Sequence, residues 1–204
     1  MTTPIFTRDD AWSGGSYDLA IELGPRDDAR LRRALQALWS GPDLDGCYES
    51  ADREPQEQPR LGVGTLPLET PLHGIARIGD RAPVACRTVI VRFDDGSDWI
   101  HVCLPLGSLG HILDVGAFPF DDGGDLSWRH PLDEWLCGLG RRVFDAVPFR
   151  LALIGWDGGE LEDVDSFHAS GVPAERSIGY LVPGADGLRW FPPNLGAPLT
   201  MDRS

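Results

Sequence analysis

The chain has 204 residues, 42% hydrophobic and 25% charged, which is ordinary globular usage and excludes global disorder. Its 32 acidic residues outnumber 18 basic ones for a formal charge of −14, so we predict that neither nucleic acid nor an anionic membrane is a partner. Every basic residue is arginine, which excludes lysine Schiff-base chemistry and the lysine of a phosphate-binding P-loop.

The first predicted elements are a strand and a helix. Residues 16–23 place apolar side chains at every second position, the period of a half-buried strand. Residues 27–39 place them at spacings of three and four, and two aspartates stand where the helix dipole favours negative charge. The predicted core stripe of this helix is Leu31, Ala34, Leu35, Leu38 and Trp39.

The remaining elements are mostly strands. Residues 49–60 contain two prolines and almost no apolar side chain, which predicts an exposed loop. The runs 87–93 and 98–106 flank Asp95-Gly96, a hairpin signal. Residues 131–147 have helical periodicity; Gly138 and Gly140 weaken it, so either another element approaches there or the helix is short. Residues 149–155 predict a buried strand, and 177–193 a last hairpin.

These elements predict a single α+β domain over residues 1–193. Its sheet is mainly antiparallel, with two principal helices and long loops rich in glycine and proline. Residues before 49 supply one strand and one helix, too little to bury their own apolar faces, so 49–60 is not interpreted as a domain linker. Residues 194–204 are predicted to be a loose C-terminal tail.

Cysteine and histidine spacing argues against metal and disulfide roles. The four cysteines, Cys47, Cys86, Cys103 and Cys137, form no CxxC pair, so we predict small, buried, reduced side chains. The histidines are scattered singly, without a metal-ligand spacing. We therefore predict no metal and no cofactor. The N-terminus resembles no secretion signal and no apolar run reaches the roughly 18 residues of a membrane span, which predicts a cytoplasmic protein.

Catalytic motifs are weak. Ser108 in "PLGSLGH" lies between glycines and His111 follows three residues on, but a nucleophile elbow needs a glycine where Leu106 stands. His101 shares a predicted strand face with Trp99 and is expected to be a partly buried histidine with its hydrogen bonds satisfied. His130, just before a predicted helix start, is a more accessible candidate, although the sequence shows no partner for it.

The stretch "FPFDDGGDLSWRHPLDEW", residues 118–135, is the most unusual part of the chain. Residues 94–165 hold 15 acids and 4 arginines, a balance of −11. The adjacent placing of Asp121, Asp122 and Asp125 does not match a calcium loop, in which ligands alternate. A solvated acidic turn and a docking loop both remain open. Trp128 beside these acids is either a core residue or a surface anchor.

Two functions follow from these residues. The first is a non-enzymatic cytoplasmic interaction protein, an immunity or antitoxin-like inhibitor, that docks on a basic protein. Asp121, Asp122 and Asp125 would steer association, with Trp128 as anchor and His130 beside it. The alternative is a small-molecule enzyme, such as a hydrolase, that uses His130 or His111 with carboxylates in a cleft.

Overall fold

The computed structural model describes residues 3–93, 96–115, 126–156, 167 and 169–195. Within them one antiparallel sheet has eight strands: β1 (Ser16–Pro25), β2 (Leu44–Tyr48), β3 (Leu72–Ala76), β4 (Val84–Arg92), β5 (Ser97–Pro105), β6 (Leu151–Trp156), β7 (Gly179–Gly184) and β8 (Gly187–Phe191). Their order across the sheet is β2-β3-β4-β5-β1-β6-β7-β8. The helices are α1 (Asp28–Trp39), the short α2 (Leu106–Leu109) and α3 (Arg129–Ala146), with 3-10 turns at Pro55–Glu57 and Val63–Thr65. The predicted α+β fold with a mainly antiparallel sheet and two principal helices is confirmed.

Helix α1 forms as its periodicity predicts. The Asp27 side chain caps its N-terminus by accepting hydrogen bonds from the backbone N–H groups of Ala29 at 2.9 Å and Arg30 at 3.1 Å. All five residues of the predicted stripe are buried. The stripe packs on the sheet because exposure of these side chains to water is unfavourable.

The two faces of the sheet follow from the alternation of the strands. In β1, Tyr17, Leu19 and Ile21 point toward α1 and α3, and we call this side the helix face. Ala20, between them, belongs to a separate cluster on the opposite side, which we call the second face. β1 lies in the middle of the sheet, paired with β5 and β6, and its side chains are therefore buried on both faces.

Strands β2 and β3 were missed by the sequence analysis. Each is only five residues long and has a glycine at its centre, which weakens the pattern of a strand. Gly46 and Gly74 face each other in the register, and the Trp39 ring packs against this pair. A β-carbon added at Gly74 would lie 2.4 Å from Cζ3 of Trp39. The glycines are required by the tertiary contact, so local propensity gives no sign of these strands.

The structure shows why helix α3 contains Gly140 and that Gly138 does not shorten it. The helix spans 18 residues and is not short. A β-carbon at Gly140 would lie 2.7 Å from Cδ1 of Leu181, so this glycine lets β7 approach closely. At Gly138 an added β-carbon would meet no atom within 4 Å, and this glycine has no packing role.

Two chain segments cover the second face. Near β2 and β3, Phe6 packs with Tyr48, Ile75 and Ala85, and the Trp12 ring lies 5.5 Å from that of Phe6. Toward β7, Phe167 stacks on Tyr180 at 5.7 Å. The sheet is thus covered by α1 and α3 on one face, and on the other by the N-terminal segment and the residues around Phe167.

The buried carboxylate of Glu54 holds the N-terminal segment in place. Although residues 49–60 are largely exposed, Glu54 has an exposed fraction of 8%. Its carboxylate accepts hydrogen bonds from the backbone N–H groups of Ile5 (3.1 Å), Phe6 (2.9 Å) and Thr7 (2.7 Å). Burial by itself raises the pKa of Glu54, but these hydrogen bonds outweigh it and hold the pKa below 4.5.

We expect the attachment of the N-terminal segment to depend on pH. Because the folded-state pKa of Glu54 lies below its unfolded-state value, its stabilisation is present above the unfolded pKa and is lost as pH falls through the folded pKa. Glu54→Gln should lower the hydrogen-exchange protection of the Ile5, Phe6 and Thr7 amides at neutral pH by about tenfold, since hydrogen bonds to charged groups are the stronger ones. The amides of β1 serve as the internal control. Unchanged protection in the variant would show that the carboxylate charge is not what holds the segment.

Candidate functional site

The structure describes only the C-terminal part of the predicted docking loop, from residue 126. Asp121, Asp122 and Asp125 lie outside the described residues, so their predicted role stays a prediction. Trp128 has an exposed fraction of 7% and its ring lies 5.5 Å from that of Tyr17 in an edge-to-face contact. Of the two alternatives that the sequence allowed for Trp128, the structure shows the core position. A role for Trp128 as an anchor stays a prediction, and it would require the ring to leave this packing.

A buried polar network lies beside Trp128 at the start of α3. The Tyr17 hydroxyl donates a hydrogen bond of 2.6 Å to Oδ1 of Asp133 and accepts one of 3.1 Å from Nε of Arg129. Arg129 also donates to the Ser177 carbonyl at 2.7 Å. The network joins β1, α3 and the segment before β7. It thereby fixes the position at which the chain emerges from residues 116–125 into α3.

Burial sets the protonation behaviour of this network. It raises the pKa of Tyr17 far above its usual range, so the phenol remains protonated and available as a donor. It also raises the pKa of Asp133, although the Tyr17 hydrogen bond and the Arg129 charge oppose that rise. All three polar groups have partners, as buried groups normally do, and we assign the network a structural role.

His130 is the one residue of the predicted docking site that the structure both describes and exposes. It is the second residue of α3, next to buried Arg129, and its side chain faces solvent. Its backbone N–H donates to the Ser127 carbonyl at 3.2 Å. His130 therefore lies at the surface where the predicted acidic loop joins the helix.

Both acid-rich segments attach to the same end of the sheet. In the register, Tyr17 lies opposite Leu104 on β5 and opposite Trp156 on β6. Residues 157–166, with five acids, begin directly after Trp156. Residues 116–125, with three acids, end three residues before Trp128, which packs on Tyr17. We call this end, marked by Tyr17, Trp128, His130 and Trp156 and carrying the two segments, the acidic end.

Two of the four arginines of residues 94–165, Arg142 and Arg150, lie at the opposite end. Arg150 precedes β6, and its Nε lies 3.0 Å from Oε2 of Glu22 near the far end of β1. Arg142, near the C-terminus of α3, pairs with Asp43. Helix α3 thus begins at the acidic end and ends near these arginines. Both arginines are thus engaged with carboxylates away from the acidic end.

Comparison of the chain with family models, curated proteins and solved structures finds no match. Among the described residues no group of three or more His, Cys, Asp or Glu side chains could hold a metal ion. The helices within those ranges include none that is long and apolar enough to cross a membrane. The four cysteines are free and buried, as predicted.

Ser108 and His111 do not form a catalytic pair. Ser108 is fully buried and donates its hydroxyl hydrogen bond to the Ala11 carbonyl at 2.8 Å. His111 is 43% exposed and lies instead beside Asp10, with 2.8 Å between Nε2 and Oδ2. Hydrogen bonding to His111 is the main cause that lowers the pKa of Asp10. The serine and histidine of "PLGSLGH" thus both serve to attach the N-terminal segment.

Sheet pairing brings together a polar row that the sequence analysis missed. Asp18, Cys103 and Arg87 lie side by side on β1, β5 and β4 on the second face. Burial raises the pKa of the Cys103 thiol, which keeps it protonated and unreactive. His101 lies two residues from Cys103 and is partly buried, as predicted, and burial lowers its pKa to about 4. The prediction that its hydrogen bonds are satisfied is wrong, because Nε2 has no partner among the described residues. No signal in a single sequence gives this row, because strand register is a property of the fold.

Proposed function

We propose that this protein is a non-enzymatic, cytoplasmic interaction protein that binds a basic protein partner through the acidic end, as an immunity or antitoxin-type inhibitor does. The observation that carries the proposal is the attachment of both acid-rich segments to one end of the sheet. Because the described residues that flank both segments lie at this end, we propose that a partner meets the charges of Asp121, Asp122 and Asp125 and of residues 157–166 here. Such a concentration of one sign of charge accelerates association with a partner of opposite sign.

The neighbouring structure supports the same proposal. His130 is exposed at the acidic end, whereas Arg129 has an exposed fraction of 7% and is held by Tyr17 and Ser177. The guanidinium of Arg129 is therefore engaged within the protein and is not presented to a partner. The same field opposes the approach of nucleic-acid phosphates, which is why a protein is proposed as partner.

The test compares two triple variants that remove equal charge. The first is Asp121→Asn, Asp122→Asn and Asp125→Asn. The control is Glu69→Gln, Asp145→Asn and Asp186→Asn, three exposed carboxylates remote from the acidic end. A basic protein captured from the native lysate by the immobilised wild type serves as partner, and association and dissociation rates are measured over a series of salt concentrations.

We expect the first triple variant to associate about tenfold more slowly at low salt and to show a flatter salt dependence. The control should stay within about twofold of the wild type, because charges beyond a Debye length of the contact are screened. Circular dichroism and melting establish that both variants fold. Equal kinetics for the two triple variants would contradict docking through the acidic end, and so would capture of no basic protein.

A further inference from the structure

We propose that the hairpin formed by β7 and β8 holds a binding site for a small carboxylic acid with an apolar body. The site is a cavity of about 270 Å³ on the second face. It lies between this hairpin and the segment around Phe167 and Val172. Its lining is apolar apart from one cation, and comprises Phe167, Gly171, Val172, Val182, Pro183, Gly184, Arg189 and Phe191.

Phe191 and Gly184 position the side chain of Arg189, the cation of this cavity. The Arg189 guanidinium carbon lies 5.2 Å from the centre of the Phe191 ring, a cation–π contact. Its aliphatic stem passes over Gly184, where an added β-carbon would be 3.2 Å from Cδ of Arg189. These contacts place the exposed guanidinium beside the cavity and leave its N–H groups available.

Arg189 has no carboxylate partner within the described ranges. Ion pairs there engage Arg8, Arg60, Arg77, Arg92, Arg142 and Arg150, and Arg189 is not among them. A guanidinium presents paired N–H donors that match the two oxygens of a carboxylate. A carboxylate of the ligand would therefore accept hydrogen bonds from the free N–H groups of Arg189.

The position of the hairpin favours an anion despite the charge of −14. Residues 166–204 carry 3 acids and 3 arginines and are neutral. The turn between β7 and β8 lies at the end of the sheet away from the acidic end, because Gly179 pairs with Ile154 and the strand runs from there past Leu181. The turn that carries Arg189 therefore lies away from the acidic end, while Phe167 on the other side of the cavity directly follows residues 157–166.

The size of the cavity limits the ligand. Its volume lies just below the roughly 300 Å³ at which ligand pockets begin, so it suits a molecule of about ten non-hydrogen atoms. Phe167, Val172 and Phe191 would cover an aromatic or branched aliphatic body, and Arg189 would bind the carboxylate. The probe that matches this description is 3-phenylpropanoate.

The test is a titration of the full chain, labelled with ¹⁵N, followed by amide shifts in NMR spectra. 3-Phenylpropanoate should shift the Val172, Val182 and Phe191 amides in a saturable way. Its neutral amide should bind about tenfold more weakly, and so should propanoate, which lacks the ring. In Arg189→Gln the affinity for the acid should fall to that for the amide, while Arg33→Gln, an exposed arginine on α1, should leave it unchanged.

Three outcomes would overturn the proposal. They are an absence of saturable shifts at these amides, equal affinity of the acid and the amide for the wild type, and an unchanged affinity in folded Arg189→Gln. The comparison of acid with amide uses the wild type alone, so it stands even if the variant fails to fold. The two proposals rest on different side chains and different tests, so either can fail without the other.

Discussion

Replacement of Leu35 by alanine is expected to lower the free energy of unfolding by about 2 to 5 kcal/mol, because it leaves a cavity in the core between α1 and the sheet. Leu35 has no exposed surface and lies among side chains of the helix face, with Leu31 and Leu38 as neighbours along the helix. Chemical denaturation with two-state analysis measures the change.

The matched control lies on the same helix. Arg33 is exposed on α1, and Arg33→Ala should change the free energy of unfolding by less than about 0.5 kcal/mol. A loss below half a kilocalorie in Leu35→Ala would instead place the α1 stripe outside the core.

Gly74→Ala is expected to destabilise the protein by about 1 to 3 kcal/mol, because the added methyl group overpacks the core. The β-carbon would lie 2.4 Å and 2.5 Å from two carbons of the Trp39 ring and 3.0 Å from the Asp45 carbonyl oxygen. Trp39 is buried, with an exposed fraction of 1%, so its ring has little room to move. Chemical denaturation again gives the change in the free energy of unfolding.

Two further variants separate this clash from the general effect of replacing glycine. In a Trp39→Phe background the shorter ring removes both crowded carbons, and Gly74→Ala should then cost less than about 1 kcal/mol. Gly138→Ala, where the methyl group meets no atom within 4 Å, should stabilise α3 by up to about 1 kcal/mol. Equal losses from Gly74→Ala in both backgrounds would show that the Trp39 contact does not explain the glycine.

The elements with strong local signals were predictable. The α1 stripe, the hairpin of β4 and β5 and the last hairpin are confirmed, because periodicity and turn residues are encoded within a few neighbouring positions. Strands β2 and β3 were not predictable, because the glycine at the centre of each weakens the strand pattern. Gly74 makes room for the Trp39 ring, and Gly46 has a φ of +147° and packs against the backbone of β3 as well as that ring. From the sequence, Trp128 could be either a core residue or a surface anchor, and only the structure shows that it packs against Tyr17.

The sequence by itself determined the acidic charge, its concentration in residues 94–165 and the α+β class, because these depend on composition and short-range pattern. The tertiary structure alone decided which distant residues meet. It attaches both acid-rich segments to one end of the sheet, joins Tyr17, Arg129 and Asp133 in one network, and places Arg189 over an apolar cavity. The physical reason is that strand order and register bring together positions more than 100 residues apart, and no local propensity carries that information.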